Sequence, residues 1–467
     1  MTFTSLPFLF FFSLVFVLNY YMPKNTKTFF LLVMSYLFYG FFDIRFLPYL
    51  WSVTIITYLS SRLIVKNQKQ KNTFLYVSIL AILGILLYFK YSNFLFNLFG
   101  LNELVSSNIL LPIGISFITF QSIGYVVDIY RDSSNYESDF LTLALFIGFF
   151  PQITSGPISR ASILIPQIKS KSSVTSVEME SGFYQFLWGL FKKLVLADNF
   201  ALIANNGFEN YKLVLGLPIL VSVIAYTLQI YGDFSGYSDM AIGLSKMLGF
   251  KLKDNFNSPY FATSIRDFWK RWHISLSTWF RDYVYFPLGG SRVSQIRKYF
   301  NLLVTFILSG LWHGANLTFI IWGALHGLFQ IIEDLLIRNN ILNKFPLLLK
   351  WLITFSAVSF AWIFFRANTL EHAFGVIASI FHFTIPTNLG WLSNMLSMVG
   401  IQKFEVLILG VSLALLVAVE GLNYFNHYYF YREERINKFS IFYATGLLLL
   451  ILLFGVFSNS TFIYFNF

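Results

Sequence analysis

Long apolar stretches recur along the whole chain and are separated by short polar or basic segments. After a first run at the N-terminus, they lie near 28–42, 46–61, 74–98, 107–130, 140–158, 180–197, 212–231, 299–312, 317–336, 347–366, 404–422 and 439–458. A helix needs about 20 apolar residues to cross the hydrocarbon core of a bilayer. The pattern therefore predicts an all-α, polytopic membrane protein with one membrane domain over residues 1–467.

Charged residues between these stretches and helix-breaking residues within one of them suggest how the chain crosses the membrane. The first run lacks a basic start and a cleavage site, so it predicts a spanning helix rather than a removed signal peptide. The loop 62–72 carries four basic residues and no acid, which predicts a cytoplasmic position. The segment FFPQITSGPISR contains Pro151, Gly156 and Pro157. Since these residues interrupt helices, we expect a re-entrant segment at 149–160.

Composition narrows the possible chemistry. Of 467 residues, 56% are hydrophobic and 12% are charged. The absence of cysteine excludes disulfides, thiol nucleophiles and an acyl thioester on the protein. The net charge of +11 is attributed to cytoplasmic loops and not to nucleic-acid binding. Without an HExxH, P-loop or Rossmann motif, no metal and no bound cofactor are predicted.

The stretch SIRDFWKRWHISLSTWFRD, residues 264–282, has helical periodicity with aromatic residues on one face. Its other face is charged, and Ser264 followed by Asp267 resembles a capping box. This pattern predicts one helix lying in the membrane interface. His273 falls at the edge of the apolar face. It is either a functional residue or a histidine at the boundary of the two faces that has no role.

His313 follows an apolar run of only 14 residues, Tyr299 to Trp312, and lies between Gly310 and Gly314. A helix of that length extends about 21 Å, so it is expected to end inside the bilayer. Asn316 is a candidate N-cap for the next helix. Desolvation favours the neutral imidazole, which can accept a proton as a general base must. The alternative is a packing histidine bonded to a carbonyl.

One further group of polar residues is a candidate, whereas a third histidine is not. Asp233, Tyr237 and Asp239 lie in YGDFSGYSDMAIG, which is either intramembrane or a loop outside the membrane. His326 lies 13 residues after His313, roughly 20 Å along a continuous helix, and is expected to lie outside its site.

Several motifs together resemble the alginate O-acetyltransferase branch of the membrane-bound O-acyltransferase superfamily. They are RDFWKRWHISLSTWFRDYVYFPLGGSR, SGLWHGANLTFIIWGALHG, YGDFSGYSDMAIGLSKMLGF, GLFKKLVLADNFA, FFPQITSGPISR and AWIFFRA. The resemblance covers the whole chain in the same order. It implies a bundle of about eleven spanning helices, with re-entrant and interfacial helices, around a tunnel. The branch includes enzymes that acetylate peptidoglycan.

The resemblance also implies residue roles. His313 matches the histidine of the family's WHG motif and His273 that of its RWH motif, so both are candidate catalytic residues. An acyl donor such as acetyl-CoA would be attracted by cations of the interfacial helix and the following loop. The candidate donor- and substrate-binding residues are Arg266, Lys270, Arg271, Arg281, Arg292, Asn316, Asp233 and Tyr237. The same cations also suit lipid headgroups.

The function implied is O-acetylation of a cell-surface or secreted polysaccharide from cytoplasmic acetyl-CoA, in the bacterial cytoplasmic membrane. An extracytoplasmic partner of the SGNH-hydrolase type is expected to complete the transfer. Peptidoglycan and alginate-like glycans are both candidate acceptors. The alternatives are a membrane transporter, or a relative that acts on a lipid, a protein or a D-alanyl acceptor.

Overall fold

In a computed structural model, the structure describes residues 1–101, 109–170, 174–382, 397–398, 400, 403–427, 438–457 and 462–466. These residues form helices and connecting loops, which confirms the all-α prediction. Two compact units are present, one of Met1–Phe186 with Tyr237–Asp254 and one of Leu187–Gly236 with Asn255–Phe467. The single-domain assignment stays a prediction.

The helices of the first unit are numbered from the N-terminus, and the last two enter the second unit. They are α1 Leu6–Tyr21, α2 Lys27–Gly40, α3 Leu47–Lys66, α4 Lys71–Leu86, α5 Ser92–Leu98, α6 Ile115–Arg131, α7 Phe140–Gly148, α8 Ala161–Ser170, α9 Ser176–Phe191 and α11 Leu217–Met247. The helix between the last two, α10 Asp198–Glu209, belongs to the second unit. Helix α2 packs against α7, and α3 packs against α4 and α6.

The segment 149–160 belongs to this first unit and is not helical, as its proline and glycine residues predict. Residues 149–158 are all buried, so irregular backbone lies inside the protein. The side chain of Gln152 donates to the carbonyl of Phe146 at 2.9 Å. The Gly156 N–H donates to the carbonyl of Gln152 at 3.0 Å, so the irregular backbone also forms internal hydrogen bonds.

The second unit contains the remaining helices. They are α10 Asp198–Glu209, α12 Ile265–Arg271, α13 Ile274–Phe280, α14 Gln295–His313, α15 Leu317–Arg338, α16 Leu347–Arg366, α17 Leu370–Ile380, α18 Lys403–Asn426 and α19 Lys438–Phe454, followed by a 3₁₀ turn at Ile463–Asn466. Within the described residues, π-helical turns occur at Leu87–Tyr91 in the first unit and at Lys192–Ala197 and Arg281–Tyr285 in the second.

Several helices are long and apolar enough to cross a membrane. Within the described residues there are five, or six if the bent pair Lys27–Gly40 and Ile44–Lys66 forms one span. The resemblance implied about eleven spans. The difference arises because other apolar helices are shorter, such as the 16 residues of α1. The chain is a multi-pass membrane protein.

Three local predictions are changed by the structure. Residues 264–282 do not form one interfacial helix, because the chain breaks between α12 and α13. Trp269, Trp272 and Trp279 are 8%, 1% and 6% exposed, so this face packs against protein and not against lipid headgroups. The segment 231–243 is the interior of α11, so the loop interpretation is wrong.

Helices α14 and α15 form a tight hairpin because glycines lie where their backbones meet. A Cβ atom on Gly310 would lie 2.1 Å from the carbonyl oxygen of Phe319. A Cβ atom on Gly323 would lie 2.2 Å from that of Phe306. Small residues allow membrane helices to approach this closely. The hairpin brings the end of α14 against the start of α15.

We expect Gly323→Ala to destabilise the protein, because a backbone carbonyl must move to accommodate the added methyl group. Overpacking of this kind costs about 1–3 kcal/mol. The matched control is Gly410→Ala in α18, where an added Cβ meets nothing within 4 Å. Thermal unfolding in detergent should show a lowered midpoint for Gly323→Ala alone. Equal midpoints for the two variants would contradict the close approach.

Candidate active site

His313 is the last residue of α14 and is enclosed by aromatic rings. The helix has 19 residues and begins before the apolar run, so it is longer than predicted, yet it ends at His313 as expected. The imidazole is 3% exposed. Its ring centroid lies 4.7 Å from that of Trp312, 5.0 Å from Trp322 and 5.1 Å from Phe365. The histidine therefore occupies a largely apolar chamber.

His273 occupies the break between α12 and α13. Its φ of 43° lies in the left-handed region, which is unusual for a residue with a side chain. The backbone of a distant segment supports this break. Asn257 N–H donates to the carbonyl of Arg271, and Ile274 N–H donates to the carbonyl of Asn255, both at 2.9 Å.

The side chain of Asn255 determines the tautomer of His273. Its Oδ1 accepts from the Ser275 backbone N–H at 3.1 Å, so this atom must be the amide oxygen. His273 Nδ1 lies 3.1 Å from the same oxygen and must therefore donate to it. Burial lowers the pKa of His273 well below its usual range, so the ring is neutral. The Nε2 atom then carries a lone pair and can accept a proton.

Tyr464, in the C-terminal 3₁₀ turn, connects the two histidines. Its ring centroid is 5.7 Å from His313 and 6.3 Å from His273. Trp312 also contacts both, at 4.7 Å and 6.0 Å. The structure thus brings the two predicted catalytic histidines into one chamber. Burial raises the pKa of the Tyr464 hydroxyl well above its usual range.

A cavity of about 540 Å³ lies beside this chamber in the same unit. Its lining includes the exposed cations Arg266, Lys270 and Arg281, and the buried residues Phe306 and Ser309. Ser309 precedes His313 by four residues on α14, which is one helical turn. The cavity lining therefore combines exposed cations with buried residues of α14 that lie about one helical turn before His313.

One carboxylate organises part of this cationic end. Asp334 accepts hydrogen bonds from Arg266 at 3.2 Å and from Lys298 at 3.0 Å, and both of these cations line the cavity. Lys270 also lines the cavity and has no ion pair within the described part of the chain. Lys270 is therefore the cation best placed to meet an external anion.

Residues 18–371 match the model of the membrane-bound O-acyltransferase family. The chain belongs to this family. Both histidines and the cationic cavity lie within the matched region, whereas Tyr464 lies outside it. The chain is therefore an O-acyltransferase, and the catalytic roles of His273 and His313 stay predictions.

Curated relatives are similar over most of the chain. A probable alginate O-acetylase of Pseudomonas aeruginosa is 40% identical over 82% of this chain and 75% of its own length. A peptidoglycan O-acetyltransferase of Helicobacter pylori is 37% identical over 74% and 72%. A teichoic acid D-alanyltransferase of Bacillus subtilis is 30% identical over 57% and 71%.

Other predicted site residues of this O-acyltransferase have local partners. Arg271 pairs with Asp267 at 2.9 Å and is absent from the cavity lining. Asn316 caps α15 by accepting from the Thr318 N–H at 3.1 Å, as its N-cap prediction requires. The donor-binding roles proposed for these two residues stay predictions.

The two candidates in α11 lie in different units. Asp233 is 2% exposed and pairs with Lys193 at 2.6 Å. Tyr237 belongs to the first unit, where its hydroxyl bonds that of Thr154 and its ring stacks on Phe3. Neither arrangement identifies a bound substrate, so their substrate-binding roles stay predictions.

His326 lies nearer to the site than its separation along the chain predicted. The hairpin of α14 and α15 places its ring 4.9 Å from Trp322, which also contacts His313. Trp269 Nε1–H donates to His326 Nδ1 at 3.2 Å, so the proton of the neutral ring is on Nε2. His326 therefore packs against Trp322 and links α15 to α12 through Trp269.

Sequence reasoning missed Tyr464. The chain ends in TFIYFNF, and an aromatic run in a protein with 57 phenylalanines looks like lipid-facing surface. The available signal was a tyrosine within a C-terminal segment that follows the last apolar helix. Nothing local in that segment indicates contact with His313.

Proposed function

We propose that this enzyme transfers acetyl groups from acetyl-CoA for the O-acetylation of a cell-surface or secreted polysaccharide. The observation that carries the proposal is the pair of family histidines, His273 and His313, around one buried tyrosine beside a cation-lined cavity. The names of the relatives, an alginate O-acetylase and a peptidoglycan O-acetyltransferase, support a polysaccharide as the final acceptor.

The cavity suits an acyl donor that has a charged group at one end and a narrow chain carrying the acyl group at the other. Coenzyme A has phosphates at one end and a thioester at the other. Lys270 and Arg281 would attract the phosphates, and the thioester would reach past Ser309 towards His313. Acetyl-CoA would be a substrate and not a resident cofactor.

His313 acts as the general base in this mechanism. It takes the proton of a hydroxyl group, whose oxygen then attacks the thioester carbonyl. Collapse of the tetrahedral intermediate breaks the carbon–sulfur bond, and the leaving thiolate takes up a proton from the imidazolium. Base catalysis by a positioned imidazole contributes about 10²–10⁴ in rate.

Tyr464 supplies the first accepting hydroxyl. It is buried against both histidines, and its raised pKa means that it ionises only with the help of a base. The product is an acetyl ester of a phenol. A phenol is more acidic than an alcohol, and the imidazolium of His313 can protonate the departing phenolic oxygen, so the ester can pass its acetyl group to a sugar or serine hydroxyl.

The tautomer of His273 favours one of three possible roles. A neutral ring with its proton on Nδ1 cannot donate from Nε2 to an oxyanion. It can accept a proton there, so we assign His273 as a proton relay to His313 or to Tyr464. Holding the donor and stabilising negative charge are the roles that this arrangement disfavours.

In this proposal, acetyl transfer continues on the outer side of the cytoplasmic membrane. An SGNH-type acetyltransferase at the outer face of the bacterial cytoplasmic membrane takes the acetyl group and passes it to the glycan. The resemblance to the alginate branch supports such a partner. Membrane lipid is expected to surround the spanning helices.

Acetyl-CoA carrying a labelled acetyl group tests the proposal against its alternatives. Purified protein in detergent or vesicles should release coenzyme A and retain label on the protein. A transporter would leave the thioester intact. A long-chain acyl-CoA or a D-alanyl thioester, used as competing donors, would identify a lipid, protein or D-alanyl transferase if either reacts faster than acetyl-CoA.

Lys270→Ala is expected to raise the KM for acetyl-CoA about tenfold with little change in kcat. A charge-assisted hydrogen bond to phosphate contributes roughly 1.5–3 kcal/mol, and it is made equally in the ground and transition states. Arg297→Ala is the matched control, since Arg297 is an exposed cation of α14 outside the cavity lining. An unchanged KM in Lys270→Ala would place the donor elsewhere.

A further inference from the structure

The C-terminal segment that carries Tyr464 is attached to a cluster of buried charges. Lys193 Nζ pairs with Asp198 at 2.8 Å and with Asp233 at 2.6 Å, and all three side chains are at most 5% exposed. The other oxygen of Asp233 accepts from the backbone N–H of Ile463 at 2.8 Å. The cluster thus holds the residue next to Tyr464.

Further contacts join the same cluster to the C-terminal segment. Lys193 Nζ lies over the ring of Phe462, 4.6 Å from its centroid. Val456 N–H donates to the carbonyl of Leu194 at 3.0 Å, and Asn199 donates to the carbonyl of Phe454 at 3.1 Å. The chain leaving α19 is therefore attached at both 454–456 and 462–463.

The position of Asp233 in α11 explains how this attachment reaches the site. The next residue, Phe234, contacts His273 with a centroid distance of 4.6 Å and Tyr464 with 4.1 Å. Adjacent residues of one helix therefore hold the backbone of the C-terminal segment and contact both the tyrosine and a catalytic histidine.

We propose that Asp233, supported by Lys193, is a positioning residue that holds Tyr464 against His273 and His313 by binding the backbone of Ile463. The inference rests on the proposed function, in which Tyr464 takes the acetyl group. Burying a carboxylate and an ammonium inside a membrane protein is costly, and such groups are usually retained for function. Lys193 and Asp233 lie within the family match, whereas the segment they hold lies outside it.

Asp233→Ala and Asp198→Ala form a matched pair. Each removes one of the two carboxylates that Lys193 binds, and each leaves Lys193 with the other. Asp233 is the member of the pair that accepts from Ile463. A general loss of charge pairing therefore affects both variants, and loss of the attachment affects Asp233→Ala.

The absence of native cysteine allows the attachment to be measured directly. Phe465→Cys adds a single thiol to the C-terminal segment, and its rate of reaction with a maleimide reports release of the segment. We expect Asp233→Ala to increase this rate at least tenfold and Asp198→Ala to change it less than threefold, as loss of a charge-assisted hydrogen bond predicts. Acetyl on Tyr464, measured by mass spectrometry without the added cysteine, should fall at least tenfold in Asp233→Ala alone.

Two results would overturn the inference. One is a labelling rate in Asp233→Ala equal to that of the parent, and the other is an equal increase in both variants. Failure of the proposed function is distinguishable, because labelling does not depend on acetyl transfer. If Tyr464→Phe keeps full activity while Asp233→Ala releases the segment, the attachment stands and the acceptor role of Tyr464 is wrong.

Discussion

Replacing His313 with glutamine is expected to reduce acetyl transfer by at least about 10²-fold, because the side chain stays polar and similar in size but can no longer act as a base. The nearby rings of Trp312, Trp322 and Phe365 carry no basic group that could replace the imidazole of His313. Acetate released from surface glycans, in cells with this variant as the only copy, measures the effect. Immunoblots of membranes and thermal unfolding must show normal amounts and stability.

The control for this experiment is His372→Gln. That imidazole packs against Phe208 and Tyr211, with centroid distances of 6.1 Å and 5.1 Å, and its Nε2 lies 2.9 Å from the Phe208 carbonyl oxygen. Activity should remain within about twofold of wild type, as expected for a residue outside the chemistry. Wild-type acetylation in His313→Gln would return His313 to a packing role.

Tyr464→Phe is expected to reduce acetyl transfer about as strongly as His313→Gln, although it removes only the phenolic oxygen atom. The ring and its contacts with Phe234 and His313 remain, so the fold should be unaffected. Without the hydroxyl group, no acetyl ester can form there, and glycan acetate should fall at least about 10²-fold, as expected for loss of a covalent intermediate. Mass spectrometry of acid-quenched protein should find acetylated Tyr464 in wild type and none in the variant.

Tyr424→Phe provides the control for removing a phenolic oxygen from the same unit. Its ring lies under the guanidinium of Arg271 at 4.6 Å, and phenylalanine retains that contact. Activity in Tyr424→Phe should match wild type. If Tyr464→Phe also acetylates glycans normally, the acetyl group does not rest on Tyr464, and the acceptor role of this tyrosine is wrong.

Local signals along the chain predicted several parts of the site. Ser264 caps α12 by accepting from the Asp267 N–H at 3.0 Å, and Asn316 caps α15. In each cap the donor and the acceptor lie two or three positions apart, so the capping residue can be recognised from the sequence alone. Apolar length predicted a membrane protein, and the end of the apolar run placed His313 at the end of a helix.

The break at His273 could not be predicted in the same way. No glycine or proline occurs between Phe268 and Phe280, and helical periodicity continues through the break. The helix ends because Asn255 and Asn257, more than a dozen residues earlier, provide hydrogen bonds to Ile274 and Arg271. A distant segment thus overrides the local preference for helix.

By itself, the sequence determined that this protein is a helical membrane O-acyltransferase with candidate histidines at 273 and 313. The tertiary structure decided that these histidines share one chamber, that its wall includes Tyr464, and that Asp233 holds the chain there. The physical reason is the range of the interactions. Caps and apolar periodicity arise between near neighbours in the chain, whereas the chamber arises from packing among α11, α14 and a C-terminal turn far apart in sequence.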